Sequence, residues 1–223
     1  MSHKLLSTVL IAVAAITVGA QEKTVLYQTN PTPTKTITPA VSFRTPDSPS
    51  GFRHFGACLV HTVEYPSADF DLHGVRLTLI ASDHHNLYGA DFGIIYNYLR
   101  GDLEGGQFTF IWNQVDNNVM GAQDSFVGNY VGKTLKGAQL AFGVNISQGI
   151  GLEKNIGAQV AAVNIANDLK GAQVGLINKV SNMKGCQIGL VNYAESMEGC
   201  QIGLANILGN GKLPFMVIFN CNF

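Results

Sequence analysis

Charge is scarce in this chain. Only 13% of its 223 residues are Asp, Glu, Lys or Arg, and their net charge is −1. A surface that recruits nucleic acid or an anionic membrane needs clustered Lys and Arg, so neither is an expected partner. After residue 20 no apolar run reaches the roughly 20 residues of a spanning helix, so any bilayer contact would be through strands or at the surface. Catalytic signatures are missing too. There is no Gly-x-Ser-x-Gly, no His-Glu-x-x-His and no Gly-rich loop opening a helix. The carboxylates Asp102, Glu104, Asp116, Asp168, Glu195 and Glu198 fall one or two per polar stretch, where they read as solvated caps rather than a convergent acid–base group. The expectation is a non-enzymatic protein without a cofactor or metal.

Proline is nearly absent where glycine is abundant. Six of the seven prolines precede Gly74, whereas all but three of the 25 glycines lie from Gly74 onward. Residues 1–20 read as a secretory signal peptide, with Lys4 before the apolar stretch Leu5 to Val18 and small residues at Val18-Gly19-Ala20. Residues 21–50 read as a Thr/Pro-rich tether. There Pro31, Pro33, Pro39, Pro46 and Pro49 favour extended backbone, and Ile37 to Phe43 could form an edge strand. Residues 51–73 form a leading strand region, with β-formers from Cys58 to Tyr65 before Pro66. Export to a bacterial outer membrane, cell surface or periplasm is the expected location.

What is present from residue 74 is a repeat. Glycines 74, 89, 105, 121, 137, 157, 171, 185 and 199 are spaced by 15, 16, 16, 16, 20, 14, 14 and 14 residues. The last units read Gly171-Ala-Gln-Val-Gly-Leu-Ile-Asn178, Gly185-Cys-Gln-Ile-Gly-Leu-Val-Asn192 and Gly199-Cys-Gln-Ile-Gly-Leu-Ala-Asn206, while earlier copies carry one more residue before the Asn. Within a unit the parity is that of a strand: Ala172, Val174 and Leu176 share one face, and Gln173 and Gly175 the other. A helix is disfavoured, since each Gly costs about 1 kcal/mol against Ala there. Stretches such as Asn167 to Lys170 and Ser181 to Lys184 read as polar turns.

Two all-β architectures accommodate this repeat over residues 74–212, with 213–223 as a closing strand. In a parallel β-solenoid, matching residues stack about 4.8 Å apart. Gln139, Gln159, Gln173, Gln187 and Gln201 then form one amide ladder, and Asn164, Asn178, Asn192 and Asn206 another. The alternative is an antiparallel outer-membrane barrel of about ten strands, suggested by the alternation of Phe215, Val217, Phe219, Cys221 and Phe223. The barrel would turn Asn178, Asn192 and Asn206 toward lipid, whereas a solenoid can turn at the Asn, so the solenoid is favoured.

The Gly-x-Gln-x-Gly-Leu-x-Asn units, with a signal peptide before them and the aromatic tail Leu213-Pro214-Phe215 to Phe223 after them, resemble a family of bacterial surface-repeat proteins. The likeness covers Gly74 to Phe223. It implies an envelope or cell-surface location with a structural or adhesive role, and it transfers no catalytic residue. A small outer-membrane barrel acting as pore or anchor is the alternative function.

Three clusters are candidate sites. Tyr88, Tyr96, Tyr98, Trp112 and Tyr130 could form a binding face for a glycan, a protein or another envelope component. Core packing is the competing explanation. Cys186 and Cys200 occupy the same repeat position, with stacked Cα atoms about 5 Å apart, so a disulfide between them is geometrically open; a pair of small buried thiols is the simpler reading. His84 and His85 match no closed zinc spacing and, as neighbours on extended backbone, point to opposite sides; a polar turn is expected there.

Overall fold

The computed structural model describes residues 53–60, 63–67, 69–149, 154–211 and 213–223. The expected signal peptide, the tether and residues 150–153 of the insertion before Gly157 lie outside the described residues. Every regular element among the described residues is a strand, and none of them is a helix long and apolar enough to cross a membrane. The chain opens with β1 (Arg53–Val60) and β2 (Val63–Tyr65). The early coils each supply a long and a short strand. These are β3 (Leu72–Thr78), β4 (Leu87–Gly93), β5 (Tyr96–Leu99), β6 (Leu103–Thr109), β7 (Trp112–Val115), β8 (Val119–Ser125), β9 (Gly128–Val131), β10 (Leu135–Ala141) and β11 (Val144–Ser147). After β12 (Asn155–Val160) the strands merge into β13 (Val163–Val174), β14 (Ile177–Ile188) and β15 (Val191–Leu208), and β16 (Phe215–Asn222) closes the chain.

Neighbouring coils pair in parallel and in register. Gly137 lies over Gly121 and under Gly157, Gln139 over Gln123 and under Gln159, and Asn145 over Asn129 and under Asn164. The fold is therefore a parallel β-solenoid of about nine coils. The antiparallel ten-strand barrel is excluded, because antiparallel pairing is confined to the ends, where β2 lies on β1 and β16 on β15. The stack also begins before residue 74, since β1 pairs in parallel with β3.

The repeat glycines are required by this stacking. Gly171 has φ +147°, a conformation that side-chain-bearing residues rarely adopt, and a Cβ there would collide with the carbonyl oxygen of Gly157. That bend lets one continuous strand wrap two sides of the coil. The stretches Asn167 to Lys170 and Ser181 to Lys184 are thus strand rather than turn, and they aim Leu169 and Met183 inward. The tight turn falls at Gly175-Leu176, two residues before Asn178, which already lies in β14. Turning before the Asn resets the parity, so Asn178 joins Gln173 on the inner side.

The interior is half apolar and half amide. Leu72, Leu87, Leu103, Val119 and Leu135, with Leu99, Val115 and Val131, form one apolar cluster; Leu169, Met183 and Met197, with Ala166, Val180, Ala194 and Leu208, form a second. The amide half is threaded by two ladders. Gln123, Gln139, Gln159, Gln173, Gln187 and Gln201 each donate from Nε2 to Oε1 of the Gln one coil earlier, at 2.8–3.0 Å. Asn97, Asn113, Asn129, Asn145, Asn164, Asn178 and Asn192 each donate from Nδ2 to Oδ1 of the Asn one coil later, at 2.8–3.3 Å. The second amide hydrogen goes to backbone, as from Gln173 to the Lys179 carbonyl at 3.3 Å and from Asn164 to the Val174 carbonyl at 2.9 Å. Buried amides are expensive unless bonded, and here each ladder donor is satisfied. The two ladders run in opposite directions, so their side-chain dipoles oppose one another.

Each ladder needs an end. Gln107 donates from Nε2 to Asp91 Oδ2 at 3.3 Å, and Asp91 is held by Arg76 through Nε–Oδ1 at 3.0 Å and Nη2–Oδ2 at 2.5 Å. Arg76 and Asp91 are both buried and stand in register with the glutamines. A carboxylate suits the last acceptor of a one-way chain of donors, and the guanidinium neutralises it. At the other end Asn206 turns its amide back to the Gly203 carbonyl at 2.9 Å, and Asn220 of β16 stands opposite Gln201.

Candidate binding edge

With Gln and Asn inside, the opposite strand face is outside, and that face is apolar. Leu77, Phe92, Phe108, Leu140, Val160, Val174, Ile188 and Ile202 stack in register into one exposed column, interrupted by Asp124. Beside it the turn residues Ile94, Phe110, Phe126, Phe142, Leu176 and Leu190 are also exposed, as is Leu204 at the matching place in β15. The phenyl rings stack along the axis. Phe110–Phe126 and Phe126–Phe142 have centroids 5.3 Å apart and lie within 5° of parallel, and Phe92–Phe108 are 5.2 Å apart. Between the aromatic columns runs a shallow open groove floored by Gly93, Thr109, Ser125 and Ala141. The exposed apolar strip thus runs along the described coils, broken only at Asp124 within its first column; apolar strips of this kind are where interaction sites are sought.

Of the five aromatic residues singled out from sequence, four share one sheet. Tyr96, Tyr98, Trp112 and Tyr130 project from the outer face of β5, β7 and β9, next to the apolar edge. Tyr88 is separate: it sits on β4, stacked on His73 with centroids 4.4 Å apart. The grouped tyrosines are already engaged. Tyr98 donates its hydroxyl to Asp116 Oδ2 at 2.5 Å, Tyr96 donates to Gln114 Oε1 at 2.9 Å, and Gln114 Nε2 donates to Asp116 Oδ1 at 2.9 Å. Burial, with the Asp116 and Asp83 carboxylates adding to it, pushes the Tyr96 phenol up to about 12. Burial likewise raises Tyr98, helped by its bond to Asp116. Tyr130 is raised by burial and by Asp116, against an opposing hydrogen bond from Gln148. Trp112 lies over Gly128, where a Cβ would strike the indole. The Tyr96 and Tyr98 rings therefore present apolar faces while their hydroxyls are held along the sheet.

The cysteine pairing differs from the Cys186–Cys200 bridge open in the sequence. The disulfide joins Cys200 to Cys221, with Cα atoms 4.2 Å apart, and Cys186 is a free thiol. Parallel neighbours hold their Cβ vectors side by side at the strand spacing, whereas antiparallel β16 brings Cys221 directly against Cys200. Cys186 also lies on the outer face, half-buried, and burial raises its thiol above the ordinary value. The two histidines do point apart: His84 is buried under Leu99, while exposed His85 faces Asp71 Oδ1 at 3.3 Å. No group of three or more His, Cys, Asp or Glu among the described residues is placed to hold a metal.

Opposite the apolar edge a polar ladder runs down the solenoid. Asn86 donates to Asp71 Oδ1 at 2.8 Å, Asn118 to Asp102 Oδ1 at 3.0 Å and Asn182 to Asp168 Oδ1 at 2.7 Å, while Lys184 pairs with Glu198. The coil is thus amphipathic in cross-section, with one apolar corner and one hydrated side. Sequence reasoning missed that corner. Its signal was Asp124, since a column that admits a carboxylate faces water. No family model, curated protein or solved structure matches the chain.

Proposed function

We propose that this is a non-enzymatic repeat protein of a bacterial envelope or cell surface, structural or adhesive in role, that engages its partner through the apolar edge. The observation that carries this reading is the continuity of that edge. Exposed apolar side chains recur coil after coil on a scaffold whose amide groups are consumed by its own ladders. The resemblance of the Gly-x-Gln-x-Gly-Leu-x-Asn units to bacterial surface-repeat proteins supports the location. Tyr96, Tyr98, Trp112 and Tyr130 extend the edge as a flat aromatic flank suited to a glycan ring or a partner's apolar patch.

The test is fractionation of cells producing the full chain. Phe142 and Leu204 are the edge residues to change, because at 74% and 65% exposure they leave the interior untouched. The expected result is recovery with the envelope, and release into the soluble fraction by Phe142→Ser with Leu204→Ser while circular dichroism stays unchanged. Recovery in the cytosol, or an envelope yield indifferent to both substitutions, contradicts the reading.

A further inference from the structure

We infer that the occupant of the apolar edge is a lipid surface, on which the solenoid lies with its long axis in the membrane plane. The inference rests on the reading of this edge as the binding face and names what covers it.

Shape is the first argument. The edge sits where the chain turns from one sheet to the other, and consecutive residues Phe126 and Val127 are both exposed, as only a corner permits. On the scale of the coil such a corner is convex, scored only by the shallow groove between its two columns. Eight inter-coil steps of about 4.8 Å make it roughly 38 Å long, and a corner about three residues across is roughly 10 Å wide. The resulting strip of roughly 400 Å² is about half of what each partner contributes to a standard protein interface, near 800 Å². Two convex corners brought together touch along a line and bury still less. Fluid acyl chains, by contrast, wrap a convex ridge.

Chemistry is the second. The ridge is Phe, Leu, Ile and Val, and the sheet beside it carries Tyr96, Trp112 and Tyr130. Rings with an apolar body and a polar tip concentrate at the boundary between acyl chains and headgroups. The far side of the coil is hydrated and charged, which is the cross-section of an element lying in an interface rather than crossing it. The two edge columns carry one carboxylate, Asp124, and no Lys or Arg. Binding is therefore driven by apolar burial, without a requirement for anionic headgroups.

Trp112 is the only tryptophan and stands on the flank of the ridge, so it reports the event directly. The experiment adds phosphatidylcholine vesicles to the full chain and follows Trp112 emission, with quenching by acyl chains brominated at known depth. Because residues 5–18 are themselves apolar, the readout is taken at Trp112 and not from flotation alone. The expected result is a blue shift, quenching strongest for bromines near the headgroup, little sensitivity to salt, and a partition coefficient at least tenfold lower for Phe142→Ser with Leu204→Ser. No shift at Trp112, with a dimer by light scattering that the same substitutions dissociate, overturns the lipid assignment and keeps the binding edge, its occupant being a second copy. No shift and a monomer indifferent to the substitutions overturns both, leaving the edge idle or covered by the chain itself. The unsubstituted protein alone distinguishes lipid contact from none, so the inference stays exposed to failure even if the variant does not fold.

Discussion

The coils before and after the insertion at residues 148–154 solve one problem with different parts. From Leu87 to Ser147 each coil has a short second strand, a turn at Gly93, Thr109, Ser125 or Ala141, and phenylalanine on the ridge. From Asn155 the coils shorten to 14 residues, the strands fuse, the turn position is Ala161 and then Gly175, Gly189 and Gly203, and aliphatic side chains form the ridge. In the shortened coils the Asn column presses on the corner: a Cβ on Gly175 would strike Asn164 Nδ2 and the Ala161 carbonyl, as one on Gly93 would strike Asn97 in the longer coils. At the seam the apolar interior is broken: Asn155 stands in the Leu column and Ser147 in the Val column, dividing one cluster from the other. The ladders cross without a gap, Gln159 to Gln139 at 2.8 Å and Asn145 to Asn164 at 3.2 Å. The lesson is that the amide ladders set the register, while turn length, ridge chemistry and apolar core vary around them.

That contrast can be broken in a graded series. Gly185→Ala, within the 14-residue coils, forces a side chain to φ +139° and against the Gly171 carbonyl. Strain and overpacking together should cost about 3–6 kcal/mol, read as loss of the cooperative urea transition. Asp91→Ala strands Arg76 and removes the acceptor of Gln107, which should destabilise the early coils by about 3–5 kcal/mol. Hydrogen exchange then should rise first between Leu72 and Val131 and leave Asn155 to Leu208 slow. Cys221→Ser frees β16 from β15 at the other end, costing about 3 kcal/mol for a cross-link spanning 21 residues; the exchange pattern should be the reverse. The smallest effect is alkaline. The Tyr96 phenol sits at about 12 against an ordinary 10.0, so the folded state holds that proton more tightly. Its stabilisation is complete below pH 10 and is lost as pH rises through 12. Hydrogen exchange should report loosening of the sheet around Tyr96 and Tyr98 as the pH approaches 12.

Much of this architecture was legible in the residues. The fixed spacing of glycines, glutamines and asparagines encodes parallel, in-register stacking, because only that arrangement gives each copy the same neighbours. The Gln and Asn ladders follow directly. The inward side was harder to read, since Ala172, Val174 and Leu176 look like a core stripe by composition. What reveals the true inside is constancy: Gln recurs unchanged, whereas the apolar column drifts through Phe, Leu, Val, Ile and one Asp. The place of the turn, two residues ahead of Asn178, depends on the close approach of Gly175 to the neighbouring coil, which no local pattern carries. The Cys200–Cys221 link was hidden for a related reason. It depends on β16 folding back antiparallel, a long-range event, and the alternation of Phe215 to Phe223 suits a barrel strand equally well.

The most direct test of the inverted interior is hydrogen exchange at the side-chain amides, resolved by NMR with Gln and Asn labelled. The NH₂ groups of Gln159, Gln173, Gln187, Asn164, Asn178 and Asn192 should exchange as slowly as the backbone amides of their strands, while the side-chain amide of exposed Asn167 exchanges rapidly. Exchange of the ladder amides at the rate of Asn167 would contradict the account.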